Sequence, residues 1–401
     1  MDGVRRALFR ALGGLMVLSL LFVAGCLKES VYDMPLRTRT LFIYMVADNN
    51  MGSGGYDNMN MNQIKEAIKE RYYGANRIII YRSPYNSIPV LIELKRNGSE
   101  AWVDTLKRYE DRPSAVEKAT LQMAIADMQH FASADSYALI LWSHATGWMP
   151  ASPPSGHQQF AGMYDEKLPL TRTFGLEGFT TAGPQMEIAD LAEALPDHLF
   201  HFILFDACYM GQVEVAYALR NKADYLIASP AEILAAGMPY AKILKHIFTS
   251  TPQLEALCRE YYNHYSQNNE TATIGLYDLR QMEPLAGVMS QIVANYGAAI
   301  GSVDITSVQR FDRYTKYSMF DMEDFVERIV APNDLLLVAF KQQMALTVPY
   351  KEATESINFG TPIIPIHTYC GITSYIPVTA YTEMNEHYKQ TEWYRDVYGG
   401  F

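Results

Sequence analysis

Short apolar runs alternate with helical periodicity through the first 240 residues of the chain. The β-prone apolar runs stand at 41–47, 77–82, 137–143, 202–205 and 225–228. Between them, apolar side chains recur at helical spacing at 57–71, 114–131, 186–195 and 211–220. Apolar strands that alternate with amphipathic helices predict an α/β fold, with a mostly parallel central sheet and helices on both of its faces.

Local signals add a hairpin, a helix start and a change of pattern. Asn97-Gly98, between apolar runs at 90–95 and 101–106, predicts a β-hairpin. Ser114 and Glu117 have the spacing of a capping box at the start of a helix. After about residue 240 the pattern becomes more helical, at 241–248, 252–265, 281–300 and 322–329, with short strands expected at 273–278 and 373–377. We expect one domain at 41–401, with an α/β core at about 41–240 and a helical C-terminal extension at 241–401 that closes on it.

The N-terminal residues carry a separate signal. Three arginines precede an almost wholly apolar stretch at 11–24, which is typical of a secretory signal peptide and too short for a spanning helix. The sequence VAGC at 23–26 then matches a bacterial lipoprotein cleavage box. Acyl chains on Cys26 would hold the chain in a membrane, since each buried methylene contributes roughly 0.8 kcal/mol. An ordinary signal peptide followed by a chance cysteine is the alternative.

The lipoprotein interpretation sets the expected location and organisation. We expect a signal peptide at 1–25, a tether at 26–40 and a lipid anchor in the bacterial cell envelope, with the outer membrane favoured. Without 1–25 the net charge falls from −11 to −13, because one aspartate and three arginines are lost. This acidic balance argues against a nucleic-acid partner, since phosphate contacts need clustered Lys and Arg. We expect a monomer.

Three cysteines remain if Cys26 carries lipid, namely Cys208, Cys258 and Cys370. An odd number outside the cytosol leaves at least one thiol free or paired with another chain. Such a thiol is a hazard in an oxidising space unless it has a task. No Cys/His group in the sequence has the spacing of a zinc site, so no metal centre is expected.

Two of the apolar runs end at residues that can carry chemistry. The run at 137–143 ends at His144, and the run at 202–205 closely precedes Cys208. In parallel sheets, ligands bind beyond the carboxyl ends of the strands, where both residues stand. A thiolate is a strong nucleophile, and a nearby histidine or helix N-terminus lowers the pKa of the thiol. His144 is then the candidate base.

The same two loops offer backbone donors for an oxyanion. We expect the N–H groups from Ala145 to Gly147 and that of Cys208 to hold the developing charge. Taken singly, a cysteine after an apolar strand is ordinarily a small core residue, and a histidine there is ordinarily structural. Their shared placement, with a long irregular stretch at 149–185 between them, favours a functional site.

The chain resembles the clostripain-like cysteine peptidases, relatives of caspases, gingipains and legumain with one caspase-haemoglobinase-like fold. The resemblance rests on several segments in the same order along some 330 residues: YMVADNN at 44–50, LWSHATGW at 141–148, FDACYMG at 205–211, EVAY at 214–217, the stretch 223–229 and GITSYIP at 371–377. It implies that His144 is the catalytic histidine and Cys208 the nucleophile of an endopeptidase that needs no cofactor.

The resemblance also implies roles in substrate selection and activation. An acid two residues before the nucleophile, here Asp206, helps such enzymes to receive a Lys or Arg before the scissile bond. A buried aspartate that caps the next turn is the alternative for this residue. Relatives can be activated by a cut between the histidine and the cysteine, and Lys167 and Arg172 are the basic residues that the 149–185 stretch offers.

Three features depart from the family pattern or fall short of it. Ala145 stands where relatives have glycine, and its methyl group would crowd the oxyanion region. The stretch 233–240 lacks the further acid of active relatives, which leaves Glu232 as the nearest and puts strict Lys/Arg specificity in doubt. Some relatives use calcium, but DNN at 48–50 does not follow the EF-hand order. We therefore interpret its side chains as hydrogen-bonding the turn backbone.

These observations predict a cell-envelope cysteine endopeptidase that acts on peptide or protein substrates, with cleavage after Lys or Arg as one specificity. Ala145 and the missing second acid keep an alternative open. It is a catalytically weak or inactive lipoprotein that uses the peptidase fold to bind peptides.

Overall fold

The structure of the chain is a computed structural model that describes residues 38–71, 73–149, 173–179, 183–314 and 317–399. Residues from Thr38 onward form one compact unit. The expected signal peptide, Cys26 and the two candidate cleavage residues, Lys167 and Arg172, lie outside the described residues. No helix among the described residues is long and apolar enough to cross a membrane.

Thirteen strands occur in the described residues, and nine of them form one sheet. They are β1 (Arg39–Ala47), β2 (Arg77–Pro84), β3 (Val90–Asn97), β4 (Glu100–Arg108), β5 (Ser136–Trp142), β6 (Phe200–Asp206), β7 (Ala223–Ala228), β8 (Thr273–Asp278), β9 (Phe320–Asp321), β10 (Tyr350–Ala353), β11 (Ser356–Ile357), β12 (Ile364–Pro365) and β13 (Thr373–Ser374). The order in the large sheet is β10-β8-β7-β6-β5-β1-β2-β3-β4. Two small pairs, β11 with β12 and β9 with β13, complete the set.

The middle of the sheet is parallel and its two edges are antiparallel. Strands β2, β1, β5, β6 and β7 pair in parallel, whereas β3, β4, β8 and β10 pair antiparallel. The predicted α/β fold with a mostly parallel centre is confirmed. The parallel strands are continuous apolar runs because helices cover both of their faces, which leaves no solvent-facing side for polar residues.

The helices form two layers. The first contains α1 (Asn50–Ser53) and α2 (Tyr56–Glu70), then α6 (Tyr240–Ile247) and α7 (Leu254–Ser266), with successive helices in contact. The second is linked by its own contacts and contains α3 (Lys118–Phe131), α4 (Ile188–Ala194), α5 (Val213–Ala218), α8 (Met282–Ile300), α9 (Met322–Ile329), α10 (Leu335–Thr347) and α12 (Glu392–Val397). Helix α11 (Thr382–Tyr388) lies between α10 and α12 in the chain.

The predicted hairpin is confirmed, and the sheet continues beyond it into the second half of the chain. Strands β3 and β4 pair with Asn97 opposite Glu100, and Gly98 takes the positive φ of 61° that the turn needs. On the other side, β8 pairs with β7 and β10 pairs with β8. The boundary expected near 240 therefore does not divide the sheet, because residues 241–399 add two strands to it.

The predicted capping box is wrong. Helix α3 begins at Lys118, and its N-cap residue, Glu117, makes no side-chain capping bond. The hydroxyl of Ser114 instead donates to Oε2 of Glu177 at 2.6 Å, and the N–H of Ala115 donates to Oε1 at 2.7 Å. Glu177, from beyond the 150–172 stretch, thus engages the Ser114 hydroxyl that a capping box would have used as an acceptor.

Candidate active site

Strand pairing brings the two predicted catalytic residues to neighbouring positions at one edge of the sheet. Strands β5 and β6 are parallel, with Trp142 opposite Asp206. His144 and Cys208 each stand two residues past this pair, so the loops that carry them leave the sheet side by side. The N–H of Ser143 donates to the carbonyl of Asp206 at 3.4 Å and extends the pairing by one step.

The His144 ring is held by a residue that the sequence reasoning did not assign to the site. Its Nε2 lies 2.6 Å from Oδ1 of Asn50, in the turn after β1. Since a carboxamide oxygen only accepts, Nε2 carries the proton and Nδ1 carries the lone pair. Nδ1 is buried and has no hydrogen-bond partner among the described residues. Burial lowers the pKa of His144 to about 3, so the ring is a neutral base with one unused acceptor.

In the turn that supplies Asn50, the interpretation of DNN as a motif that binds the turn backbone holds for Asn49 alone. Oδ1 of Asn49 accepts from the N–H groups of Met51 and Gly52, at 2.9 and 3.3 Å, and caps α1. Oδ1 of Asp48 accepts from the N–H of Asn86 at 2.9 Å. Asn50 is the member that sequence reasoning missed. Its place in a motif shared with the clostripain family was the signal that could have found it.

The backbone after His144 is paired with the residues that follow the 150–172 stretch. The N–H of Gly175 donates to the carbonyl of His144, and the N–H of Thr146 donates to the carbonyl of Thr173, both at 2.9 Å. Ala145 is fully buried within this pairing. The 173–175 segment therefore pairs with the histidine loop on one side and with Met186 on the other.

Gly147 needs both its positive φ and its missing side chain. Its φ is 75°, and a Cβ built there would lie 2.0 Å from Oε1 of Gln212. That oxygen accepts from the N–H of Trp148 at 2.9 Å. Gln212 follows Cys208 by four residues, so its side chain ties the cysteine loop to the histidine loop. The assignment of Ala145 and Gly147 as oxyanion donors stays a prediction.

Cys208 is buried and turned towards the other neighbouring loop. The N–H of Ile233 donates to its Sγ at 3.1 Å, and the thiol donates to the carbonyl of Ile233 at 3.6 Å. Burial raises the pKa of this thiol well above its ordinary value, and the charge of Glu232 acts in the same direction. No hydrogen bond joins Cys208 to His144 in the structure, which describes both side chains. The thiol is therefore in a resting, protonated arrangement.

The carboxylate of Asp206 accepts hydrogen bonds from residues around the start of α6. Its Oδ1 accepts from the N–H of Met238 at 3.0 Å, and its Oδ2 accepts from the hydroxyl of Tyr240 at 2.8 Å. Burial raises the pKa of the carboxyl to about 7. Gly237, with a φ of 68°, is close enough that a Cβ would lie 2.5 Å from the same carboxylate. Asp206 is therefore a buried strand-end aspartate as the alternative expected, but it binds this distant loop rather than the next turn, and its role as a pocket acid stays a prediction.

Glu232 is paired with an arginine from the second half of the chain. Its carboxylate accepts hydrogen bonds from Nε and Nη2 of Arg313, at 2.6 and 2.9 Å. The Glu232 side chain is 0% exposed and the Arg313 side chain 1%. Sequence reasoning missed Arg313, because 81 residues separate it from its partner and no local pattern marks it. The pairing engages both oxygens of Glu232, and its role as a substrate-binding acid stays a prediction.

The remaining thiols and acidic groups form no metal-binding cluster among the described residues. Cys208, Cys258 and Cys370 are free and buried, so the expectation of at least one free thiol is confirmed. No group of three or more His, Cys, Asp or Glu side chains suited to a metal ion occurs in the part of the chain that the structure describes.

Comparisons with known proteins identify the family to which the chain belongs. A sequence model of the clostripain family, peptidase C11, matches residues 43–391. The chain belongs to the clostripain family of cysteine proteases. Among curated proteins, none matches it.

Solved structures of other family members superpose on most of this clostripain-family chain. An inactive zymogen C11 protease from Parabacteroides distasonis is 32% identical, with a TM-score of 0.77, over 90% of this chain and 98% of its own. A secreted C11 cysteine protease from Bacteroides thetaiotaomicron, iotapain, is 28% identical, with a TM-score of 0.77, over 90% of this chain and 99% of its own. A third structure, a secreted C11 protease of the same organism with an irreversible peptide inhibitor, is 24% identical and supports the fold alone.

Proposed function

We propose that this clostripain-family protein is a cell-envelope endopeptidase in which Cys208 is the nucleophile and His144 the general base. One observation carries the proposal. Both residues stand two positions past a directly paired strand position, and the Nδ1 lone pair of His144 has no partner among the described residues. A base with an unused acceptor beside a buried thiol is the arrangement that thiol activation requires.

The reaction begins when the thiol leaves Ile233 and its proton passes to Nδ1 of His144. The thiolate sulfur then bonds to the peptide carbonyl carbon, and backbone N–H groups of the two loops hold the resulting oxyanion. The imidazolium returns its proton to the leaving nitrogen as the C–N bond breaks. Water, deprotonated by the same ring, releases the acyl group from sulfur and restores the thiol. Asn50 keeps the proton on Nε2 throughout.

The test is covalent labelling by electrophilic peptide probes, with Lys, Arg or Leu at the cleavage position. Wild type should be labelled, Cys208→Ala should not, and His144→Ala should be labelled about 10²- to 10⁴-fold more slowly, the range of general acid–base catalysis. Cys258→Ala is the matched control, because it removes another buried free thiol. A labelling rate of His144→Ala equal to that of wild type would exclude a catalytic dyad of Cys208 and His144.

The same probes test substrate selection. We propose that Asp206 is the acid that receives a Lys or Arg side chain, with Tyr240 as its neighbour. Glu232 contributes no second acid, since Arg313 neutralises it. Preference for a basic residue should therefore be modest, at about tenfold or one weak ion pair, and Asp206→Asn should remove it. Equal labelling by Leu and Lys probes would exclude this role.

A binding module is the second candidate, favoured by the resting contacts of the two residues. The thiol is held by Ile233 and the ring by Asn50, without a bond between them. The structure from Parabacteroides distasonis is itself described as an inactive zymogen. For this candidate, peptides should bind wild type and Cys208→Ala equally, and no probe should label either.

We also propose that activation involves cleavage after Lys167 or Arg172. Thr173 follows Arg172 directly and is already paired with the histidine loop, so a cut there would release the preceding residues without removing this support. Active protein should yield two fragments on incubation, whereas Lys167→Ala combined with Arg172→Ala should stay intact. A wild-type chain that remains whole while labelling fully would exclude the cut.

Finally, we propose that Cys26 carries the lipid that anchors a monomer to the cell envelope. The cleavage box at 23–26 supports this, as does the description of a similar Bacteroides thetaiotaomicron protein as secreted. Metabolic labelling with a fatty acid should mark the full chain but not Cys26→Ala, which should leave the membrane fraction. Equal membrane retention of both would exclude the anchor.

A further inference from the structure

A fully buried ion pair adjoins the proposed nucleophile. Glu232 and Arg313 meet through two hydrogen bonds of 2.6 and 2.9 Å, and Nη1 of Arg313 also donates to the carbonyl of Phe359 at 3.2 Å. Burying two charges costs several kcal/mol per ion before their attraction is counted, and a pair of well-packed apolar residues is often as stable. Stability alone is therefore a weak reason for this pair to stand here.

The position of the pair relates it directly to the thiol. Ile233, which holds Sγ of Cys208 through its N–H and carbonyl, is the residue after Glu232. On the other side of Glu232, the carbonyl of Ala231 accepts from the N–H of Tyr209 at 2.9 Å. The residues on either side of Glu232 thus bind Cys208 and its neighbour Tyr209, and Arg313 holds the Glu232 side chain between them.

Besides His144, the proposed base, four charged or titratable groups interact with Cys208 in the described residues. Asp206 comes from β6, Glu232 from the loop after β7, Tyr261 from α7 and Arg313 from the segment before β9. After burial, the charge of Glu232 has the largest influence and raises the pKa of Cys208, Asp206 acts in the same direction, and Arg313 lowers it. The two members of the ion pair therefore act on the thiol with opposite sign.

We propose that Glu232 and Arg313 form a charge-compensated positioning pair for Cys208, in which Arg313 offsets the carboxylate that opposes formation of the thiolate. Arg313 and Glu232 are positioning residues in this scheme, since both act through the sulfur and its neighbour Ile233. The inference rests on the proposed function of Cys208 as nucleophile. It adds a contribution from Arg313, more than 100 residues further along the chain, to the chemistry of Cys208.

The experiment measures the rate at which iodoacetamide alkylates Cys208 across the pH range from about 6 to 10, with the site read by peptide mass spectrometry. Alkylation follows the thiolate, whose fraction changes about tenfold per pKa unit below the pKa. Five full-length proteins are compared: wild type, Glu232→Gln, Arg313→Gln, the double variant and Arg313→Lys. Alkylation needs no peptide hydrolysis, so its outcome is separate from that of the peptide probes.

The expected order of rates at neutral pH is Glu232→Gln, then the double variant, then wild type, then Arg313→Gln. Glu232→Gln should be about three- to tenfold faster than wild type, and Arg313→Gln slower by a smaller factor, because one removes the opposing charge and the other its weaker compensation. Arg313→Lys keeps the charge and should return the pH profile towards that of wild type.

A merely structural tie would give a different pattern. Loss of either partner would then loosen the 231–233 loop, and both single variants would change in the same direction. That result, or two unchanged profiles, would overturn the proposal. Breaking a buried pair can prevent folding, so the double variant provides an independent arm. It leaves no unpaired charge, and a rate equal to or below that of wild type would also overturn the proposal.

Discussion

The two strand ends that carry the proposed catalytic residues, His144 and Cys208, are built alike but held differently. The histidine end receives its contacts from neutral groups of the first half of the chain: the Asn50 carboxamide and the backbone of 173–175. The cysteine end is surrounded by titratable groups, and one of its contacts is an ion pair with Arg313 from the second half. The proposed base is thus held by neutral dipoles, whereas the proposed nucleophile stands among charged groups.

This difference separates two tasks of the site. A general base must present one lone pair in one direction. A rigid environment of neutral groups can orient the ring in this way without favouring its charged form. A thiol must change its charge during the reaction, and compensated charges nearby determine how easily it does so. Gln212 joins the two ends, since it follows Cys208 in the chain and binds Trp148 in the histidine loop.

The strongest test of this connection is Gly147→Ala. The new methyl group would overlap Gln212 and would need a positive φ, so we expect a loss of about 3 kcal/mol or more in the free energy of unfolding. Gly55→Ala is the matched control, because Gly55 has a φ of 79° and open space around it among the described residues. It should lose about 1 kcal/mol. Urea titrations that give equal losses would argue against the Gln212 contact.

Asp206→Asn tests the charged character of the cysteine end. Because burial raises the pKa of Asp206 from 3.8 to about 7, the folded protein keeps a proton that the unfolded chain has lost, and this contribution to stability disappears as the pH rises from about 4 to about 8. Asparagine cannot titrate, so the variant should gain about 2 kcal/mol or more relative to wild type over this range, at about 1.4 kcal/mol per pKa unit.

The exposed acid Asp111 provides the control for that measurement. Asp111→Asn should follow the wild-type dependence of melting temperature on pH, since its side chain is in solvent. Parallel curves for Asp206→Asn and wild type would mean that Asp206 has an ordinary pKa in the folded protein. The contrast between a neutral and a charged strand end would then be lost.

Asn50→Ala tests the neutral histidine end. Without the carboxamide oxygen, Nε2 has no acceptor and Nδ1 loses its place as the preferred base, so probe labelling should fall about tenfold, equivalent to about 1.4 kcal/mol. Asn50→Asp keeps the acceptor but adds a negative charge, which raises the pKa of His144. Its labelling should therefore need a higher pH than that of wild type. Unchanged rates and pH profiles in both variants would show that Asn50 does not orient the ring.

Ala145→Gly should have the smallest effect. Ala145 is fully buried in the pairing with the 173–175 segment, so the loss of one methyl group should cost less than about 1 kcal/mol of unfolding free energy. We expect labelling to change by less than about threefold, since the backbone N–H is present in both. A rise above about tenfold would identify Ala145 as the residue that restrains activity.

The long elements could be predicted because their signals are local. Strands β1, β5 and β6 are continuous apolar runs, and helices such as α8 repeat apolar residues at helical spacing, so both appear in any window of the sequence. The motif around His144 and Cys208 was equally local. The order of these segments along the chain, which the clostripain family shares, then indicated that both residues belong to one site.

The features that were missed depend on residues far apart in the chain. Strand β10 has four residues and forms because β8 offers an edge, which no local pattern reveals. The expected capping box does not form because the helix begins later, at Lys118, and the Ser114 hydroxyl binds Glu177, 63 residues away. Helix α10 was also not predicted, although its sequence is strongly apolar.

The sequence by itself determined which chemistry this clostripain-family chain carries, because a thiol, an imidazole and their flanking strands are properties of short segments. Only the tertiary structure decided the state of that chemistry. The contact of Asn50 with His144, the hold of Ile233 on Cys208 and the pairing of Glu232 with Arg313 join residues from separate parts of the chain. The orientation and charge of a catalytic group depend on such neighbours, and only folding brings them together.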